Sequence, residues 1–152
     1  MSYVRWTAST TEVVCSAGSA MSVLMVSAPT SHHRIAGLGW GVYFDSTSVQ
    51  AQPIQVDLFY PPVDSAGVFT ALTLQKEQIN MLETVQSSAG FNASTQPLSG
   101  PIIKSIEVHP QAGYEFNWPM GREMQIAGGR KVAIRVTAPD TINAKAWFWG
   151  EE

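Results

Sequence analysis

The chain has 152 residues, of which 45% are apolar, so it carries enough hydrophobic mass for one domain with a core and is not a disordered chain. Only 14% of residues are charged, with 9 Lys and Arg against 12 Asp and Glu, and the net charge of −3 leaves no basic surplus to hold a nucleic-acid backbone. One cysteine, Cys15, excludes an intramolecular disulfide and a CxxC metal or redox site. Taken in chain order, the elements are almost all extended. Tyr3–Thr7 alternates as a short strand within a segment, Met1–Thr10, expected to be an N-terminal arm tied down by partners. Glu12–Cys15 and Met21–Val26 follow, the second closed by Pro29. Arg34–Phe44 is rich in β-branched and aromatic residues. Its glycines Gly37, Gly39 and Gly41 alternate and are expected on one strand face, left bare for a neighbouring backbone or a bulky side chain. Pro53–Tyr60 alternates closely and Pro61-Pro62 stops it.

The stretch 61–101 has the poorest periodicity and reads as one long irregular excursion. Thr70–Leu74 is a candidate strand. Lys76–Val85 is a candidate short helix with a thin stripe of Ile79, Leu82 and Val85, and Ser87–Gly100 reads as a surface loop. Strands resume at Ile102–His109, Gly113–Trp118 and Glu123–Ile126, and Gly128-Gly129 marks a turn. Lys131–Thr137 points Val132, Ile134 and Val136 inward, and Asn143–Trp149 is the last strand. Turn signals recur every 8–12 residues or so without a βαβ rhythm. The pattern predicts one all-β domain over 1–152, an antiparallel β-sandwich that is jelly-roll-like.

Residues with chemical potential are scattered. His32-His33 and His109 fall short of the three or four converging ligands that zinc needs, and adjacent strand histidines face opposite ways. Cys15 has no flanking nucleophile motif and reads as a small buried hydrophobe. Asp45 and Asp57 would suit glycoside hydrolysis only if the fold set them about 5–10 Å apart. Gly128-Gly129-Arg130-Lys131 lacks the P-loop spacing and reads as a hairpin turn. Asn92-Ala93-Ser94 matches a glycosylation sequon, yet the N-terminus has no basic-then-apolar leader to bring it to the enzyme, and the expectation is synthesis in a reducing cytosol. No apolar run approaches the ~20 residues of a membrane helix.

The aromatics are more informative. The chain has 5 Trp, and Trp147 and Trp149 share one face of the last strand while Phe148 takes the other. Both faces of that strand are therefore expected to be covered, one by the core and one by a partner subunit, a ligand or a loop. The neutral polar composition suits a chain packed against other chains.

The run Val108–Phe116, then Pro119–Glu123, Ile126–Gly129, Val132–Pro139 and the ending Trp147–Glu152 resembles a group of small capsid cement, or decoration, proteins of tailed bacteriophages. The resemblance is densest over 102–152, and Ile35–Phe44 and Ile54–Tyr60 fit the same pattern. It implies a homotrimer seated on the outer surface of an icosahedral head, contacting the major capsid protein, with no substrate and no cofactor. On that reading Trp6, Trp40, Trp118, Arg122, Glu123, Trp147 and Trp149 are candidate interface residues, Arg122 and Glu123 forming an inter-subunit charge pair, and Pro61–Pro101 supplies subunit or capsid contacts. The alternative is a carbohydrate- or receptor-binding jelly-roll module on a virion surface or fibre, taking a glycan on exposed tryptophans. An enzyme would require convergent polar groups in a pocket.

Overall fold

The computed structural model describes residues 4–30, 34–45 and 52–152. Its strands are β1 (Arg5–Ser9), β2 (Val13–Cys15), β3 (Ala20–Ser27), β4 (Ile35–Asp45), β5 (Ile54–Phe59), β6 (Val68–Leu72), β7 (Gln75–Lys76), β8 (Ser88–Thr95), β9 (Ile102–Val108), β10 (Gly113–Asn117), β11 (Met124–Ile126), β12 (Lys131–Thr137) and β13 (Ile142–Glu151). They form two antiparallel sheets packed face to face. The larger has the order β10-β4-β13-β1-β7, with β11 also on β4 and β2 also on β13, and the smaller has the order β6-β8-β3-β12-β5-β9. The chain is an all-β sandwich. Alternation drives it: Ile54, Val56 and Leu58 of β5 and Val132, Ile134 and Val136 of β12 are buried against the indoles of Trp6 and Trp40 and the rings of Phe44 and Phe148.

Several expectations need correction. Residues 5–9 are not an arm. They form β1, an inner strand hydrogen-bonded to β13 and β7, because Trp6 and Ala8 find full burial there; Met1–Tyr3 lie outside the described residues. Lys76–Val85 is not a helix. Lys76 pairs with Trp6 in the sheet, and its ammonium donates to the carbonyls of Met81 and Glu83, so the segment closes into a loop. Ile79 and Leu82 stand almost fully exposed, so no burial rewards a helical stripe.

Ser88–Thr95, expected as loop, is β8. Its turn-forming residues serve close packing instead: a Cβ on Gly90 would stand 2.6 Å from Phe69 Cβ, and Asn92 bends the strand with φ 50°. The excursion 61–101 thus contains three strands, β6, β7 and β8. Two of its irregular parts, 61–67 and 96–101, lie on the outside of the smaller sheet and are tied together by Leu98 N–H to Ser65 C=O. The second of these crosses the sheet strand by strand. Gln96 Oε1 accepts from Ser22 N–H of β3, Ser99 Oγ accepts from Arg135 of β12, and Pro101 C=O accepts from Tyr60 N–H just after β5.

This cover explains the smaller sheet's outward-facing buried residues, Phe59 and Asp57. Asp57 takes 2.9 Å from Arg135, 2.6 Å from Ser105 Oγ and 3.1 Å from Gln55 Nε2, while the Arg135 guanidinium sits 4.7 Å over the Phe59 ring. Burial pushes the Asp57 carboxyl up, but the hydrogen bonds from Ser105, Arg135 and Gln55 outweigh it, and the group is held below the usual carboxylate range.

Candidate functional site: an aromatic face and an apolar pole

Register decides what stands on the outer face of the larger sheet. In β13, Phe148 points into the core and Trp147 and Trp149 point out. Across the ladder Trp147 pairs with Gly41 and Trp149 with Gly39. A Cβ on Gly39 would lie 2.6 Å from Trp149 Cε2, and one on Gly41 2.7 Å from Trp147 Nε1. Each indole therefore lies against bare glycine backbone, a seat that any other residue would fill. The three glycines do not share one face, however. The register shifts between Trp149 and Gly150, and Gly37 falls on the core side, where its Cβ would meet the Phe148 ring. The bulge turns the alternation over, so counting by twos fails across it.

Four columns result on this face. Glu115 and Asn117 of β10 pair with Gly41 and Gly39. The glycine column of β4 comes next, then the indoles of β13, then Ser9 and Thr7 of β1, which pair with Trp147 and Trp149. Asn117 Nδ2 donates to Glu115 Oε1 at 3.2 Å, and Asn117 Oδ1 also borders the Gly39 seat. Both indoles are half-buried, and Tyr43 continues the aromatic strip at 47% exposure. Two ion pairs border the face, Arg5–Glu151 at 2.7 Å and Lys145–Glu12 at 3.9 Å.

The second feature is one pole of the sandwich. β7 and β10 lie at opposite edges of the larger sheet and run in the same direction; the loops that follow them, 77–87 and 118–123, stand at opposite edges near one end, the second as an excursion after which β11 resumes pairing with β4. Both present large apolar side chains to solvent: Ile79 is 89% exposed, Leu82 96% and Met120 97%. The loops themselves are anchored. The Glu152 carboxylate accepts from the N–H groups of Gln86 and Ser87 and from the Ser87 hydroxyl, and Glu123 Oε1 accepts from Gly121 N–H at 2.6 Å. That last bond, with a further backbone bond from its own N–H, holds the Glu123 carboxyl below its ordinary range. Between the sheets at this pole lies a cleft of about 400 Å³, walled by Tyr60, Pro61, Pro62 and Pro101 and rimmed by Arg130 and Lys131.

The chain matches no protein-family model, no curated protein and no solved structure. Its own geometry must therefore sort the candidate residues. Trp6 and Trp40 have no exposed surface; they pack in the core, Trp6 stacked on Phe148 and Trp40 tilted against Tyr114, and offer a partner nothing. Trp118 packs edge-on against Phe116 and beside Phe148 at the rim of the core. Arg122 is exposed on the 118–123 loop, and Glu123, beside it, is bonded to that loop's own backbone. Only Trp147 and Trp149 come together on an open face. Asp45 ends a strand of the larger sheet and Asp57 is consumed on the outside of the smaller one, so the two carboxylates do not converge. His109 Nδ1 accepts from Gln111 N–H, and His32-His33 lie outside the described residues. Cys15 is buried, and burial pushes its thiol up to about 12. Gly128-Gly129 forms a turn with Gly129 at φ 73° and Arg130 N–H bonded to Ala127 C=O. Among the described residues no group of three or more His, Cys, Asp and Glu stands together as a metal site would require.

Met120, Tyr43, Glu115 and Asn117 had no signal of their own in the sequence. The matched spacing of Gly39/Gly41 and Trp147/Trp149 was the usable clue, since glycine and tryptophan at the same two-residue step fit one another across a ladder.

Proposed function

We propose that this chain is a structural virion protein, a cement or decoration protein that assembles as a homotrimer on the outer surface of an icosahedral bacteriophage head and stabilises it. The observation that carries the reading is three bare apolar side chains on two loops, Ile79 and Leu82 at one edge and Met120 at the opposite edge of the same sheet. Single exposed apolar residues are ordinary, but side chains this bare on anchored loops suit burial by another chain. Different apolar side chains at opposite edges fit a head-to-tail contact, which forms a ring where the rotation between neighbours closes. The threefold order of the ring and its address on a capsid come from the resemblance of residues 102–152 to cement proteins.

The mechanism is mechanical rather than catalytic. A ring spanning the gaps between capsid subunits adds interface that must be undone before the shell ruptures. A standard contact buries about 1,600 Å² in all, and three such feet on one ring bind far more tightly than one. Binding the expanded shell alone stabilises that state by mass action. The test is co-sedimentation of the purified chain with expanded and with unexpanded heads of its phage. The proposal expects saturable binding to expanded heads and a higher temperature of DNA release. Absence of the chain from pelleted expanded heads refutes it.

A further inference from the structure

We infer that the outer face of the larger sheet is a glycan platform, on which Trp147 and Trp149 stack against the pyranose rings of a neutral polysaccharide. Sugar rings present axial C–H groups on a flat face and hydroxyls around the edge. A site for them pairs flat aromatic surface with polar side chains at its margins. The four columns on this face have that order. The indoles are pressed onto the glycine backbone of β4, so each turns one side outward. Glu115 and Asn117, a carboxylate and an amide, stand along one margin, and the hydroxyls of Ser9 and Thr7 along the other. Trp147 and Trp149 are two residues apart on one strand, about 6.8 Å, which is of the order of one sugar unit along a chain.

The seat matters as much as the rings. Because Gly39 and Gly41 leave room for the indoles and nothing else, the platform is held before ligand arrives, and little side-chain freedom remains to be lost on binding. A protein-contact face would instead deplete its centre of charge and leave apolar area continuous. Here a carboxylate and an amide stand one strand beyond the glycine column, and two ion pairs close the ends. Those pairs cancel, and Glu115 meets no cation among the described residues, so the face repels acidic glycans and selects neutral ones.

The inference does not rest on the capsid reading. It is tested on the full chain by isothermal titration and tryptophan emission, with cellohexaose, N-acetylchitohexaose and maltohexaose as neutral probes and heparin as the acidic one. The expected result is a Kd below about 1 mM for at least one neutral probe, with a shift in emission, and no binding of heparin. Trp147→Ala and Trp149→Ala each weaken binding by about tenfold or more. Should either fail to fold, Asn117→Ala serves, because Asn117 is exposed; it weakens binding about threefold or more with its melting temperature unchanged. Failure of all three neutral probes overturns the inference. So does heparin binding more tightly than they do, or binding that ignores the tryptophans and Asn117. Emission shielded from a soluble quencher in an assembled ring also overturns it, since the face is then a subunit contact. A chain that binds neutral glycan but not expanded heads refutes the capsid reading alone.

Discussion

Replacing Gly41 by alanine should destabilise the sandwich, although the same change in an ordinary strand stabilises it. Removing a glycine from a strand gains about 0.5–1 kcal/mol, mostly from the unfolded chain. At Gly41 the new methyl overlaps the Cε2 and Cζ2 atoms of Trp147, so the indole must lift from the sheet. An aromatic side chain buries about 150–250 Å². Lifting a half-buried indole re-exposes about 100 Å², which at about 25 cal/mol per Å² costs about 2.5 kcal/mol. The net loss is about 1.5–2 kcal/mol, or a fall of about 3–8 °C in Tm for a domain of this length. Urea unfolding followed by circular dichroism reads the difference, and Trp147 emission reports the displaced ring. Trp147→Ala supplies the control: in that background Gly41→Ala should be neutral or stabilising, giving a coupling of about 2–3 kcal/mol between the two sites. A single Gly41→Ala variant as stable as the parent, or more so, refutes the seat.

Asp57→Ala should cost about 3 kcal/mol, because it leaves the largely covered Arg135 side chain without its carboxylate; a melt within 1 °C or so of the parent contradicts this. Asp57 also sets an acid limb. Its folded-state affinity for protons is depressed, so its contribution is complete above about pH 4 and is lost as pH falls through the lower folded value, and the slope of stability against pH in that window flattens in Asp57→Ala. The Cys15 thiol, buried and raised to about 12, should resist Ellman's reagent at pH 8 until the chain unfolds, and rapid labelling of the native protein counts against its burial. The double variant Ile79→Ser, Leu82→Ser should keep the parent's β circular-dichroism spectrum, since neither side chain touches the core, while its solution mass falls to that of one chain and its Tm drops to that of an unassembled chain; an unchanged mass removes these residues from the interface.

How much of this was legible beforehand follows from which forces act locally. Strands such as 131–137 were readable because one buried face imposes alternation directly on the sequence. The helix expected at 76–85 failed because Ile79 and Leu82 of its three-residue repeat are left bare while Val85 alone packs on the core, and Lys76 is recruited by the neighbouring carbonyls instead. β8 was hidden because Gly90 and Asn92 resemble loop residues, and only the approach of Phe69 explains the glycine. Trp6 and Trp40 could not be told from Trp147 and Trp149 by residue type. The difference lies in which sheet face each occupies, and that depends on register and on the bulge at Leu38 in β4. The Asp57–Arg135–Ser105 cluster spans three strands distant in sequence, so no local pattern announced it.

The most direct measurement is the solution mass of the purified chain, by light scattering coupled to size exclusion. The proposed trimeric ring predicts a mass three times the 16.5 kDa of one chain, retained on dilution into the low micromolar range and lost in the Ile79→Ser, Leu82→Ser variant. A parent protein that elutes at the mass of one chain at every concentration contradicts the ring and the cement function built on it.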